Sequence, residues 1–145
     1  MQTTSANTLA VSESHIFIGC AEGVVRIFSS STLHYITSLP RPHYLGVDVA
    51  AGLDQSHVRS VPSNARYPDA LAVTYDALQQ KVTCVYSDHS MYVWDVHDVK
   101  RVGKSKSFFY HSSAIWGVDV RKLPPSSLSS TLFVPSLFFV TSDVP

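Results

Sequence analysis

Charge is scarce in this chain and evenly divided. Eleven Lys and Arg stand against eleven Asp and Glu, together 15% of 145 residues, so no field is strong enough to draw in nucleic acid or an anionic membrane, and neither partner is expected. Cysteine is equally sparse: only Cys20 and Cys84, with no Cys-x-x-Cys or His-rich spacing, which excludes a disulfide framework and a zinc knuckle. Both read as buried thiols of a reducing compartment. The longest apolar run, Leu132 to Val140, is too short to span a bilayer as a helix, and Met1 to Ala10 lacks the basic and hydrophobic regions of a signal peptide, so a cytoplasmic location is expected. No nucleophile elbow, His-Glu-x-x-His or phosphate-cradling glycine run is present. The reading is of a non-enzyme with no catalytic, cofactor-binding or metal residues and no cofactor.

What the chain does contain is a repeat. Ile16 to Cys20 runs through an acidic turn at Glu22 into Val24-Val25-Arg26-Ile27-Phe28; Val82 to Tyr86 runs through Asp88 into Met91-Tyr92-Val93-Trp94. In both, a strand, an acidic turn and a second strand close on an aromatic residue. Such a recurring unit resembles WD40 repeats, which run about 40–45 residues with four strands per blade of a β-propeller. The alternation predicts strands at Thr8–Val11, Ile16–Cys20, Val24–Phe28 and Leu33–Leu39, then Ala70–Tyr75, Lys81–Tyr86, Met91–Val96 and Val102–Phe109, with a further one at Ala114–Val120. Most are apolar on both faces, as in Ile16-Phe17-Ile18, so each small sheet must be covered on both sides, a condition stacked blades meet and a lone blade does not.

The expected fold is all-β, an incomplete WD40 propeller of about two and a half four-stranded blades. Its division is 1–45 for blade one, 46–68 for an inserted Ser-, Gly- and Pro-bearing loop, 69–110 for blade two and 111–145 for a partial, divergent third blade, itself interrupted at 121–135. A closed ring needs about four to eight blades, so the rest of a propeller or an oligomer is expected to close the fold.

In WD40 proteins generally, a His before the first strand, a hydroxyl on the second, the turn Asp and the Trp of the third form one buried network per blade. By that resemblance the structural network here comprises Asp88 and Trp94 in blade two, and His111, Thr141 and Asp143 in blade three. In blade two Tyr86 replaces the hydroxyl residue and the only available histidine is His43; blade one has Glu22 and Phe28 in place of Asp and Trp. A half-paired buried network is worse than an apolar one, so divergent blades should lean on packing. Asp95 and His97 share a strand face without a third ligand and read as a surface pair. Lys100, Arg101, Lys104 and Lys106 fall on a predicted edge strand, where lysine blocks unwanted pairing, the alternative being a site for an acidic partner. Tyr44, Arg66 and Tyr67 flank the long insertion and are the candidate protein-contact residues, since exposed Tyr and Arg are enriched at interfaces.

A narrower resemblance rests on Leu39-Pro40-Arg41-Pro42-His43-Tyr44-Leu45-Gly46-Val47-Asp48-Val49-Ala50, Ala65-Arg66-Tyr67-Pro68-Asp69, Val85 to Val96, Val102-Gly103-Lys104 and Tyr110-His111-Ser112-Ser113. From about Val11 to Val120 the chain resembles the WD-repeat scaffold family of mitogen-activated protein kinase-binding protein 1 and its spindle-pole, microcephaly-associated paralogue. The resemblance implies a non-catalytic protein-interaction module, part of a scaffold for c-Jun N-terminal kinase signalling and the centrosome or spindle pole, with signalling kinases or centrosomal proteins as partners. The family's kinase-docking segment lies outside this chain. Arg121 to Pro135 departs from the family, and with Met1 and Pro145 falling inside blades the sequence reads as a fragment or alternative gene product. A generic WD40 adaptor unrelated to kinases is the alternative, and a propeller enzyme the distant one.

Overall fold

Strand periodicity sorts the residues of the first sheet before any contact is considered. Phe17 and Gly19 alternate with Ile16 and Ile18, and Val25 and Ile27 alternate with Arg26 and Phe28; the first member of each set is buried and the second only partly so. The computed structural model describes residues 4–46, 63–109, 115–120 and 137–141, and in the last two segments the side chains of Ile115 and Val118 alone. The described residues are all strand and turn. Strands β1 (Ala6–Val11), β2 (His15–Cys20), β3 (Val25–Ser29) and β4 (Tyr35–Ser38) form one antiparallel four-stranded meander; β5 (Ala70–Asp76), β6 (Lys81–Tyr86), β7 (Met91–Asp95) and β8 (Gly103–Phe108) form a second; β9 (Ile115–Val120) pairs antiparallel with β10 (Leu137–Thr141). None of these sheets closes on itself.

Turn chemistry fixes each hairpin. Glu22 and Gly23 both have positive φ (56° and 68°), which gives β2 and β3 a two-residue turn of the type whose twist matches the strands. The β6–β7 loop is one residue longer: His89 N–H donates to the Tyr86 carbonyl at 3.1 Å, and His89 itself then takes φ 69°. Leu33, expected in the fourth strand, lies at φ 57° within a turn closed by its N–H on the Ser29 carbonyl, so β4 starts only at Tyr35.

The sheets stack face to face, β1 and β2 on β5, and β5 and β6 on β9. Phe17, Val25 and Ile27 of the first sheet, with Leu39 just after it, share a core with Val73, Val82, Tyr92 and Trp94 of the second. The opposite face of the second sheet supplies Ala72, Val85 and Met91 to a separate cluster around Ile115. The second sheet is thus buried on both sides, as its sequence requires. Close approach between the first two sheets depends on Gly19: a Cβ there would sit 2.5 Å from Thr8 Cγ2 and 3.0 Å from Val73 Cγ2. Polar ties cross the same interface, with Asn7 Nδ2 donating to the Ala70 carbonyl at 3.2 Å, Val73 N–H to Thr8 Oγ1 at 3.3 Å, and Glu22 N–H to Asp69 Oδ1 at 2.8 Å.

Candidate protein-interaction site

The segment leaving β4, Leu39 to Gly46, runs along the outer strands of the second sheet and builds the site. Its anchor is His43. The Asp88 carboxylate accepts a 2.6 Å hydrogen bond from His43 Nε2, and Ser90 donates to its other oxygen from Oγ at 2.6 Å and from N–H at 3.2 Å. The other ring nitrogen of His43, Nδ1, lies 2.7 Å from the Tyr92 hydroxyl, so both nitrogens are engaged within the fold. Burial alone would raise the Asp88 carboxyl, but the bonds from His43 and Ser90 outweigh it and hold the group below its ordinary range. Burial acts unopposed enough on Tyr92 to push its phenol up to about 12, and the Cys84 thiol also to about 12.

Around this pair the aromatics pack by their quadrupoles. Tyr92 stacks on Trp94 (centroids 5.6 Å apart, planes at 13°) and meets Tyr86 and Phe109 edge-on at 5.7 and 5.8 Å, while His43 meets Phe109 edge-on at 5.4 Å. Of the expected network, Asp88 and Trp94 lie in this cluster. Trp94 is only 4% exposed, and its indole N–H neighbours the Tyr86 hydroxyl, yet neither atom completes a well-formed hydrogen bond among the described residues. Trp94 joins the site by stacking on Tyr92.

The other expected residues fall differently. His111 and Asp143 lie outside the described residues, as do 47–62 of the inserted loop and all of the 121–135 interruption; Thr141 is the last residue of β10, its side chain outside the description. Glu22 is exposed, and its backbone N–H rather than its carboxylate ties the turn to Asp69. The segments that carry Tyr44 and Arg66-Tyr67 meet: Leu45 N–H donates to the Arg66 carbonyl at 2.8 Å, and the guanidinium of Arg41 sits over the Tyr67 ring, 4.8 Å from its centroid. His97 Nδ1 is 3.2 Å from Asp95 Oδ1, an exposed pair, and no cluster of three metal-ligating side chains occurs among the described residues.

Sequence reading did not single out Tyr92, Ser90 or Arg41. Tyr92 was accessible in principle, because it alternates with Trp94 on one face of a strand. Beside it lies a cavity of ≈ 290 Å³ bounded by Arg41, Pro42, His43, Trp94, Val102 and Lys104.

Four-stranded antiparallel meanders stacked through their first strands, with a His–Asp latch at the turn before the third, define the class: this is part of a WD40 β-propeller. No protein-family model matches the sequence. The chain is, however, 48% identical over 139 residues to human mitogen-activated protein kinase-binding protein 1, covering 96% of its own length. It is also 48% identical over 120 residues to WD repeat-containing protein 62 of Sus scrofa, covering 83% of its length. The chain is a homologue of these WD-repeat proteins, and spans 9% and 8% of their respective lengths.

Proposed function

We propose that this chain is a non-catalytic protein-interaction module of a signalling scaffold. The observation that carries the reading is the 48% identity to a protein named for binding a mitogen-activated protein kinase, sustained over 96% of this chain. The site's chemistry supports it: the His43–Asp88 pair is committed to hydrogen bonds within the fold, and the surface beside it offers Tyr, Arg and Pro, residues suited to contact rather than to bond-making. Within that reading the partners are signalling kinases of the c-Jun N-terminal kinase pathway and centrosomal proteins, and the place of action is the cytoplasm, with the centrosome and spindle pole. Buried, unpaired Cys20 and Cys84 fit a reducing compartment. Affinity purification of the tagged chain from dividing cells, with partner identification, tests this. Recovery of kinase-pathway or centrosomal proteins is the expected result; reproducible recovery of unrelated proteins alone would favour a generic WD40 adaptor.

A further inference from the structure

Two cations on the walls of the cavity beside Trp94 have no acidic partner among the described residues. Arg41 and Lys104 are both exposed, and the ion pairs among the described residues, His43–Asp88 and His97–Asp95, involve neither. Each instead lies over an aromatic face, Arg41 over Tyr67 at 4.8 Å and Lys104 over Tyr92 at 5.8 Å, so the charges are oriented while remaining free to pair. The carboxylates of the β6–β7 hairpin are turned away or occupied. Asp95 follows Trp94 on β7 and so points to the other face of the sheet, where His97 takes it, and Asp88 is held by His43 and Ser90.

The groove's other features specify the shape of what would pair there. Its floor is apolar, formed by buried Pro42 and Trp94 with Val102 alongside. One wall is Pro40-Arg41-Pro42, whose prolines restrict the backbone on either side of Arg41. The other is β8, which ends its sheet, so the outer backbone groups of Gly103–Phe108 have no neighbouring strand within it, and the first four of these residues are exposed. An edge strand with free backbone groups accepts an extended peptide as an added strand.

We propose that this groove binds an extended acidic segment of a partner protein, one carboxylate held between Arg41 and Lys104 and a flanking aliphatic side chain set on Pro42, Val102 and Trp94. The volume, ≈ 290 Å³, suits one or two side chains, and the apolar floor adds a contact that a free inorganic anion, pairing with Arg41 and Lys104 alone, would not use. This deepens the reading of the chain as a protein-interaction module and rests on it.

Fluorescence anisotropy with the intact 145-residue chain tests it, using a short labelled peptide that alternates leucine with glutamate. Replacing its glutamates by glutamine is expected to weaken binding by about tenfold or more, and so is the double substitution Arg41→Gln and Lys104→Gln in the chain. Lys100→Gln with Arg101→Gln, basic residues at the start of the same edge, should change affinity by less than about twofold. Lys104→Glu, a single change at an exposed position, repeats the test should the double variant unfold, and is expected to abolish binding. Equal binding of the glutamine peptide overturns the proposal, as does an equal loss from the Lys100 and Arg101 pair. So does binding confined to a phosphoserine version of the peptide or to a single-stranded oligonucleotide. Failure to recover kinases or centrosomal proteins from cells would leave a positive peptide result standing, and a negative one would leave their recovery standing.

Discussion

His43 Nε2 meets Asp88 Oδ2 at 2.6 Å, so the segment that leaves the first sheet is latched to a turn of the second. The two side chains are 6% and 16% exposed, which makes this a polar contact largely removed from water. Truncating Asp88 to Ala would strand both the His43 N–H and the Ser90 hydroxyl. An unpaired buried donor costs about 1–3 kcal/mol, and Asp88→Ala should therefore lower unfolding free energy by about that amount. Urea denaturation followed by tryptophan fluorescence measures it; an unchanged midpoint would mean the latch contributes nothing.

The same carboxylate makes stability depend on pH in a definite direction. Its folded-state pKa is depressed, so the unfolded chain binds the proton more tightly. The contribution is complete above the unfolded value of about 3.9 and is lost as pH falls through that value toward the lower folded one. Urea midpoints taken between neutral pH and about pH 3 should fall more steeply for the parent chain than for Asp88→Asn, which cannot titrate there. Parallel curves would remove Asp88 from the acid response.

Much of this was legible beforehand, and the reason is periodicity. Strands of alternating or fully apolar residues between Gly, Ser and Asp turns located β1 to β8 to within a few residues, since both burial and turn chemistry are written locally. The pairing of His43 with Asp88 was legible only by elimination, because no local pattern reports a contact made across the long insertion. Arg41 and Lys104 belong to one groove for the same nonlocal reason. For Trp94 the sequence marks where an indole sits in the core, but whether its N–H finds an acceptor depends on a residue of the neighbouring strand, Tyr86, which no local pattern reports.

Trp94 offers a clean separation of packing from hydrogen bonding. Trp94→Ala removes a buried, stacked ring and should cost about 3–5 kcal/mol. Trp94→Phe keeps much of the stack and deletes an N–H that has no partner among the described residues, so it should cost less than half as much. Thermal unfolding of the two variants compares them. A Phe variant as damaged as the Ala variant would show that the indole N–H is in fact bonded.

Gly19 reports on the contact between the sheets. Its missing Cβ makes room for Thr8 Cγ2 and Val73 Cγ2, one from each side of the interface, and Ala there would force them apart. Overpacking of this kind costs about 1–3 kcal/mol. Gly103, with open space around it, is the control: Gly103→Ala should leave the unfolding midpoint close to that of the parent, whereas Gly19→Ala should lower it. Equal midpoints for the two variants would mean the first two sheets do not pack as described.

The uncovered side of the first sheet sets the last prediction, which concerns the 145-residue chain made alone. Thr8 and Ala10 face the second sheet, so Leu9 and Val11 project from the opposite face, where they are 59% and 62% exposed. Ile16 and Ile18 of β2 and Phe28 of β3 alternate onto that same face and are only partly buried. In a closed propeller another blade covers such a surface, and solenoid-like arrays otherwise need a polar cap. No charged residue but Arg26 interrupts the apolar residues of β1, β2 and β3 on this face. Two chains joined through it would each bury an apolar surface that water now contacts, and the expected result is a dimer or larger species, or poor solubility. Size-exclusion chromatography with light scattering on the purified chain measures this. A monomer that unfolds cooperatively would show that the exposed face needs no cover, and the stacked-blade account of the first sheet would give way to one in which the chain closes its own core.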